Sequence, residues 1–383
     1  MRGLAQFGRR EISFARRLWQ LHWLFVLLIC TIAAIGFAML YSAAGGSFDP
    51  WASRQMVRFA FGVVIMLGLA IVDVRVWFRY AYPIYFGALV LLLAVEIMGD
   101  IGMGARRWLD LKVLNVQPSE VMKIAMMLVL ARYFHGLNQD QIGHPLKLVV
   151  PALLVLVPAA LIIRQPDLGT ALMIVFASTA VFFAAGVPRW VFVTAVAGAA
   201  AIVPVAWQFL HGYQQKRVLT FLDPERDPLG SGYHIIQSKI ALGSGGLSGR
   251  GFLQGSQSHL SFLPEKQTDF IFTMLAEEFG LIGGICLMAL YMIVIAYGIA
   301  VATRARSQFA RLLALGVTTT VFLYVFINMA MVMGIIPVVG VPLPLVSYGG
   351  TAMITVMVGL GLIMGAYVHR DVTIGHTGHA AED

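Results

Sequence analysis

The stretch Ser261-Phe-Leu-Pro-Glu-Lys-Gln-Thr-Asp-Phe-Ile-Phe272 runs from a polar loop into an apolar helix, and Asp269 stands at the join. Glu265 and Lys266 precede it, and Glu277 and Glu278 follow. A carboxylate partly shielded from water beside other acidic groups tends to hold its proton more tightly, which suits it to take a proton near neutral pH. Thr268 or Asp269 also suits the N-cap of the helix that follows. If the helix starts that early, positions 269, 273 and 277 recur at i, i+4 and i+8, with Asp269 and Glu277 on one face. The residues alone leave base and cap open.

Three further clusters have comparable character. Gly104-Ala-Arg-Arg-Trp-Leu-Asp110 precedes Gln117-Pro-Ser-Glu-Val-Met-Lys123, where Pro118 and Ser119 suit a helix start and Glu120 complements the helix dipole. Lys123 shares a face with Glu120, and a lysine inside a span costs about 2.5–3.5 kcal/mol on insertion scales, so it needs a partner or a wet cavity. An ion pair that merely holds the bundle, and headgroup anchoring by Arg106 and Arg107, are the plainer readings. In Arg164-Gln-Pro-Asp-Leu-Gly-Thr170, Asp167 caps the next helix or takes a direct part in chemistry. Before the last span, Gly340-Val-Pro-Leu-Pro-Leu-Val-Ser-Tyr-Gly-Gly-Thr351 sets two prolines where they resist a regular helix. There Ser347 with Gly349 and Gly350 makes either a helix start that points N–H groups at an anion or a structural re-entrant turn.

Elements that position these residues follow from composition. Of 383 residues, 59% are hydrophobic and 12% charged, and mean hydropathy is +0.82, which excludes an ordinary soluble domain. Apolar runs near 21–41, 56–73, 80–98, 119–134, 148–163, 169–187, 190–210, 275–302, 311–335 and 349–368 approach or exceed the roughly 20 residues that cross a bilayer. The expectation is an all-α integral membrane protein of about ten spans, packed as a single polytopic domain over 1–383. A large outer loop, 211–268, lies between spans seven and eight. The first run is longer than a signal-peptide core and reads as a retained span. Cys30 and Cys286 lie in apolar runs and read as packing residues.

With the N-terminus in the cytoplasm, fourteen Lys and Arg fall inside and six fall in short outer loops and span ends, Arg54, Arg58, Arg106, Arg107, Lys112 and Arg164. That bias places both termini in the cytoplasm and the polar clusters outside. The long loop carries Lys216 and Arg217, then a glycine-rich run from Gly243 to Gly255. This run lacks the GK[ST] of a P-loop, so it reads as a flexible loop more readily than a phosphate cradle. His211, His234 and His259 lack zinc-ligand spacing, and no metal site is assigned.

The segments 104–110, 117–123, 165–170, 263–270 and 344–350 resemble, in order, the signature blocks of the SEDS family (shape, elongation, division and sporulation). Gly249-Arg-Gly-Phe-Leu-Gln-Gly-Ser256 and Pro337-Val-Val-Gly-Val-Pro342 are similar to the rod-shape branch, RodA, rather than the division branch, FtsW. Lys266-Gln267 stands where relatives often have histidine before Thr-Asp.

The resemblance implies a peptidoglycan polymerase of the bacterial cytoplasmic (inner) membrane that joins lipid II units on its outer face during elongation and rod-shape maintenance. The linkage is β-1,4, formed with inversion, and undecaprenyl pyrophosphate leaves. Asp269 matches the family's essential loop aspartate and is the expected base. Arg106, Lys112, Lys123, Lys216 and Arg217 are candidate pyrophosphate-binding cations. Glu120 would orient Lys123, Ser347 and Asp167 would shape the cavity, Glu265 and Lys266 would position the loop, and Glu277 would tune the base. No cofactor is assigned, and the chemistry leaves room for a divalent cation, Mg2+ or Mn2+. Implied partners are the membrane, a class B penicillin-binding protein transpeptidase and other rod-complex membrane proteins, with no nucleic acid. A lipid II flippase needs polar contacts at both faces or the midplane. A scaffold for a transpeptidase predicts no dependence on Asp269.

Overall fold

The computed structural model describes residues 19–102, 105–110, 115–209, 212, 215, 219–221, 223, 231–255 and 265–375. For residues 98, 100–102, 105, 106, 110, 139, 203, 205, 206, 209, 231 and 233–235 it describes the backbone alone.

Apolar runs become helices because a chain in lipid must satisfy its backbone polar groups within itself. In order they are α1 Trp23–Ala43, α2 Ala52–Ile71 and α3 Val74–Met98, then strands β1 Asp100–Gly102, β2 Ala105–Asp110 and β3 Asn115–Val116. There follow α4 Pro118–His135, the short α5 Gln139–Ile142, α6 Pro145–Arg164, α7 Leu168–Ala185, α8 Arg189–Phe209, α9 Ser231–Ser244, α10 Ile271–Arg304, α11 Gln308–Val332 and α12 Gly350–Val368. Eight are long and apolar enough to cross a membrane: α1, α2, α3, α6, α7, α10, α11 and α12. The chain is therefore a multi-pass membrane protein. The two remaining runs expected from the sequence are α4, which carries Glu120, Lys123 and Arg132, and α8, whose stretch 189–202 is apolar.

An antiparallel three-stranded sheet in the order β1-β2-β3 was not anticipated. It pairs Ile101 with Arg106 and Leu109 with Val116, giving the polar connection between α3 and α4 backbone partners of its own.

The centre of the bundle is built on α11, which packs against α4, α7, α10 and α12, while α12 also lies along α2. Helix α4 is enclosed almost all round, from Pro118 to His135, so its buried ionisable residues Glu120, Lys123 and His135 face protein. Cys30 is half-buried, whereas Cys286 is exposed on α10 and is not a core residue.

Helix α10 is broken. Gly280 has φ 66° and ψ −163° inside it, a conformation open to glycine. The glycine-rich run docks into this break. Arg250 and Gly251 donate their N–H groups to the Glu277 and Glu278 carbonyls, both at 3.0 Å, while the Gly246 and Leu247 carbonyls accept from Leu281 and Ile282 at 3.0 and 3.2 Å. Described residues 245–251 therefore cap both halves of a discontinuous helix. Their N–H groups are not arranged as a phosphate cradle, because those of Gly246, Gly249, Arg250 and Gly251 are already bonded to backbone carbonyls.

Candidate active site

Residues 265–270 form a turn, and α10 starts only at Ile271, with Phe270 at the N-cap and no side-chain cap bond. Neither Thr268 nor Asp269 caps the helix, and Asp269 does not share a helix face with Glu277. The cause lies in distant chain. Glu265 takes φ 56°, and three contacts hold the turn out of helical geometry. Tyr348 donates its N–H to the Gln267 carbonyl at 2.8 Å. Ser347 donates its hydroxyl to the Thr268 carbonyl at 2.6 Å, and Asn328 donates its amide to the Asp269 carbonyl at 2.9 Å.

The Asp269 carboxylate lies against the loop after α11. A Cβ on Gly340 would stand 3.4 Å from Asp269 Oδ2, and Gly340 has φ +72°. The 340s loop is itself fixed internally, because Ser347 Oγ accepts from Leu343 N at 2.7 Å and Gln55 donates to the Ser347 carbonyl at 2.9 Å. Helix α12 then begins with Gly349 at the N-cap and no side-chain cap. The Arg58 guanidinium stacks 4.8 Å from the Tyr348 ring centroid and borders Gly350.

Deeper in the bundle, Lys123 Nζ donates to Glu120 Oε1 at 2.7 Å and also bonds the Tyr324 hydroxyl. Tyr324 in turn donates to Glu120 Oε2. Glu120, Lys123 and Tyr324 are 3%, 2% and 1% exposed, so this is a closed triad and not a wet pair. Tyr324 also lines a small cleft of about 210 Å³, its open mouth included, together with Pro342–Leu345, Ser347, Gly349, Ala352, Met353 and Val356. Tyr324 of the triad and Ser347, the residue that anchors the Asp269 turn, thus border one cleft.

At the start of α7, Asp167 caps the helix by accepting from Thr170 N at 3.2 Å and accepts from Gln117 Nε2 at 3.3 Å. Arg107 donates to the Gln165 carbonyl at 3.0 Å and to that of Pro166, and so ties β2 to the 164–170 turn. Among the expected cations, Lys112, Lys216 and Arg217 lie outside the described residues, and Arg106 is described only as backbone in β2. Lys266 is half-buried in the turn, and burial pushes its ammonium below the usual lysine range. Glu277 is fully buried, with Oε2 3.0 Å from the place of a Cβ on Gly255, and Ser42 donates to Glu278 Oε1. Both acids therefore sit with the docked glycine-rich run. Among the described residues, no group of three or more His, Cys, Asp or Glu could hold a metal ion.

Sequence reasoning missed Tyr324 and Asn328. Both are polar groups buried in a largely apolar span and sit one helical turn apart, a spacing that would have flagged them.

The model of the cell cycle protein family FtsW/RodA/SpoVE matches residues 21–372. The peptidoglycan glycosyltransferase MrdB of Escherichia coli (strain K12) is 46% identical over 347 residues, covering 90% of this chain and 93% of that protein. The probable peptidoglycan glycosyltransferase FtsW of Trichlorobacter lovleyi is 36% identical over 350 residues, 88% and 91% of the two chains. Among solved structures, a chain described under structural coordination of polymerization and crosslinking by a peptidoglycan synthase complex superposes with a TM-score of 0.78. It is 34% identical, over 91% of this chain and 98% of that one. The Thermus thermophilus rod shape determining protein RodA gives a TM-score of 0.69 at 30% identity, over 91% and 97%. The signature blocks, the fold and these similarities agree, and the chain belongs to the FtsW/RodA/SpoVE family of cell cycle proteins.

Proposed function

We propose that the chain is a peptidoglycan glycosyltransferase, which polymerises lipid II at the outer face of the bacterial cytoplasmic membrane during elongation and rod-shape maintenance. The observation that carries this reading is Asp269, held by Asn328 and Ser347 in a turn whose anchor borders the cleft that Tyr324 also lines. Support comes from the relatives named glycosyltransferases. In the proposed reaction Asp269 takes the proton of the acceptor 4-hydroxyl as that oxygen forms its bond to C1 of the donor sugar. The bond from C1 to the phosphate oxygen breaks with inversion, and its electron pair leaves with undecaprenyl pyrophosphate.

Arg106, Lys112, Lys216 and Arg217 are the cations proposed to meet that pyrophosphate. Lys123 is enclosed by Glu120 and Tyr324, so it reaches an anion only by exchanging one of those bonds. Glu265 and Lys266 position the turn, and Asp167 braces the start of α7. Glu277 tunes the base only indirectly, through the packing of α10. We place both termini in the cytoplasm, the loop 211–268 outside, and the whole chain in one polytopic domain. A class B penicillin-binding protein and other rod-complex membrane proteins are the proposed partners, in line with the solved synthase complex.

The test is lipid II polymerisation by purified wild type and Asp269→Asn, each with its transpeptidase partner. Wild type should make glycan strands and the variant should fall by at least about a hundredfold. Normal strands from Asp269→Asn would remove the base assignment. Lipid II translocation by a wild type that polymerises nothing would establish the flippase instead, and a wild type that does neither would leave the scaffold.

A further inference from the structure

Asn328 lies on α11 and is fully buried. Its Nδ2 donates to the Asp269 carbonyl at 2.9 Å and to the Val341 carbonyl at 2.7 Å. Two carbonyls on one nitrogen fix the rotamer, because the reversed amide would turn its oxygen against both of them. Its Oδ1 is buried and has no hydrogen-bond partner among the described residues. An apolar side chain of similar volume would spare that cost but take the Nδ2 donor from both carbonyls.

The two bonds have a specific geometric meaning. One holds the main chain from which the Asp269 carboxylate springs. The other holds Val341, next to Gly340, against which that carboxylate lies. Asn328 therefore fixes the separation of the carboxylate's stem from its wall, and it does so from a rigid helix. Tyr324, one turn back on the same helix, is bonded to Glu120 and Lys123. The two residues are about 6 Å apart along the axis at 1.5 Å per residue, so a shift of α11 moves the turn and the triad together.

Resting on the reading of Asp269 as the base, we propose that Asn328 is a positioning residue for the glycosyl transfer: it clamps the Asp269 turn to the 340s loop and touches neither sugar nor pyrophosphate. A misplaced base lowers turnover and leaves substrate affinity intact.

The experiment compares purified wild type, Asn328→Ala, Asn328→Asp and Asp269→Asn in lipid II polymerisation, with lipid II binding measured on the same preparations. Asn328→Ala should lose about tenfold or more in kcat, with KM and lipid II binding within about twofold of wild type. Asn328→Asp keeps the shape, but a carboxyl buried against two carbonyl oxygens holds its proton and donates to only one of them. Its kcat should fall too, less far than in Asn328→Ala, with KM and lipid II binding again kept.

Should the alanine variant not purify as a monodisperse protein, Asn328→Asp decides. Turnover lost with binding kept supports the clamp. Wild-type kcat, or binding lost in step with turnover, overturns it. An inactive Asp269→Asn beside unimpaired Asn328 variants removes the clamp alone. A fully active Asp269→Asn removes the base, and the clamp with it.

Discussion

The Ser347 hydroxyl donates to the carbonyl of Thr268 at 2.6 Å, a bond between residues 79 positions apart that ties the last re-entrant loop to the residue before Asp269. The same oxygen accepts from Leu343 N, so one hydroxyl serves two backbone groups. Ser347→Ala leaves both without it. At about 1–3 kcal/mol for a buried group left unsatisfied, the variant should melt several degrees lower. Its glycan polymerisation should also fall, because the turn is released on that side. Thermal denaturation and a polymerisation assay on one preparation check both. Ser347→Thr, which keeps the hydroxyl, should retain more activity than the alanine variant.

How much of this was legible in the sequence follows from the range of the interactions. The spans were legible because about twenty apolar residues in a row have few other folds open to them. The Glu120 and Lys123 pair was legible from spacing alone, as was the Asp167 cap, since each lies within one turn of chain. The shape of the Asp269 turn was not, because Ser347, Tyr348 and Asn328 reach it from far along the chain and override a local preference for capping. The glycine-rich run misled for a related reason. Its glycines permit close approach to α10, as Gly245 and Gly249 do, where a Cβ would fall 2.0–2.1 Å from the Ala276 and Glu278 carbonyl oxygens. Composition alone cannot separate close approach from flexibility.

The docked run makes Gly280 a second point of control. Alanine there must adopt φ 66°, and its Cβ would lie 2.4 Å from Gly249 N. Strain of about 1–3 kcal/mol is expected, together with displacement of residues 245–251 from the break. Gly280→Ala should therefore melt at lower temperature and be cut more readily by protease within 245–255. Substitution at Gly87, where a Cβ would meet nothing within 4 Å, should do neither.

Lys266 makes a pH-dependent prediction. Burial holds its folded-state pKa below the ordinary 10.5, so the charged form is disfavoured by folding. The penalty is fully present below the folded value and disappears as pH rises past the unfolded value. Lys266→Gln should therefore be at least as stable as wild type at pH 7. The difference between them should shrink as pH approaches 10.5, as melting temperatures at the two pH values would record. A variant markedly less stable at pH 7 would mean that the ammonium forms a stabilising contact that outweighs its burial.

The triad on α4 and α11 distinguishes holding the bundle from serving the reaction. Glu120 and Lys123 are buried, and removing either alone leaves the other as an uncompensated buried charge, at a cost of about 3–5 kcal/mol. Glu120→Gln and Lys123→Met should each melt well below wild type. The double replacement Glu120→Met with Lys123→Met removes both charges at similar volume and should recover most of that loss, since an apolar pair of the right size is often as stable as a buried ion pair. If the pair only packs the bundle, activity should return with stability. If Lys123 instead meets the departing pyrophosphate by exchanging its bond to Tyr324 or Glu120, the double variant should be folded and inactive. Melting temperature and polymerisation on that one protein decide between the two, because packing can be replaced by methionine and a positive charge cannot.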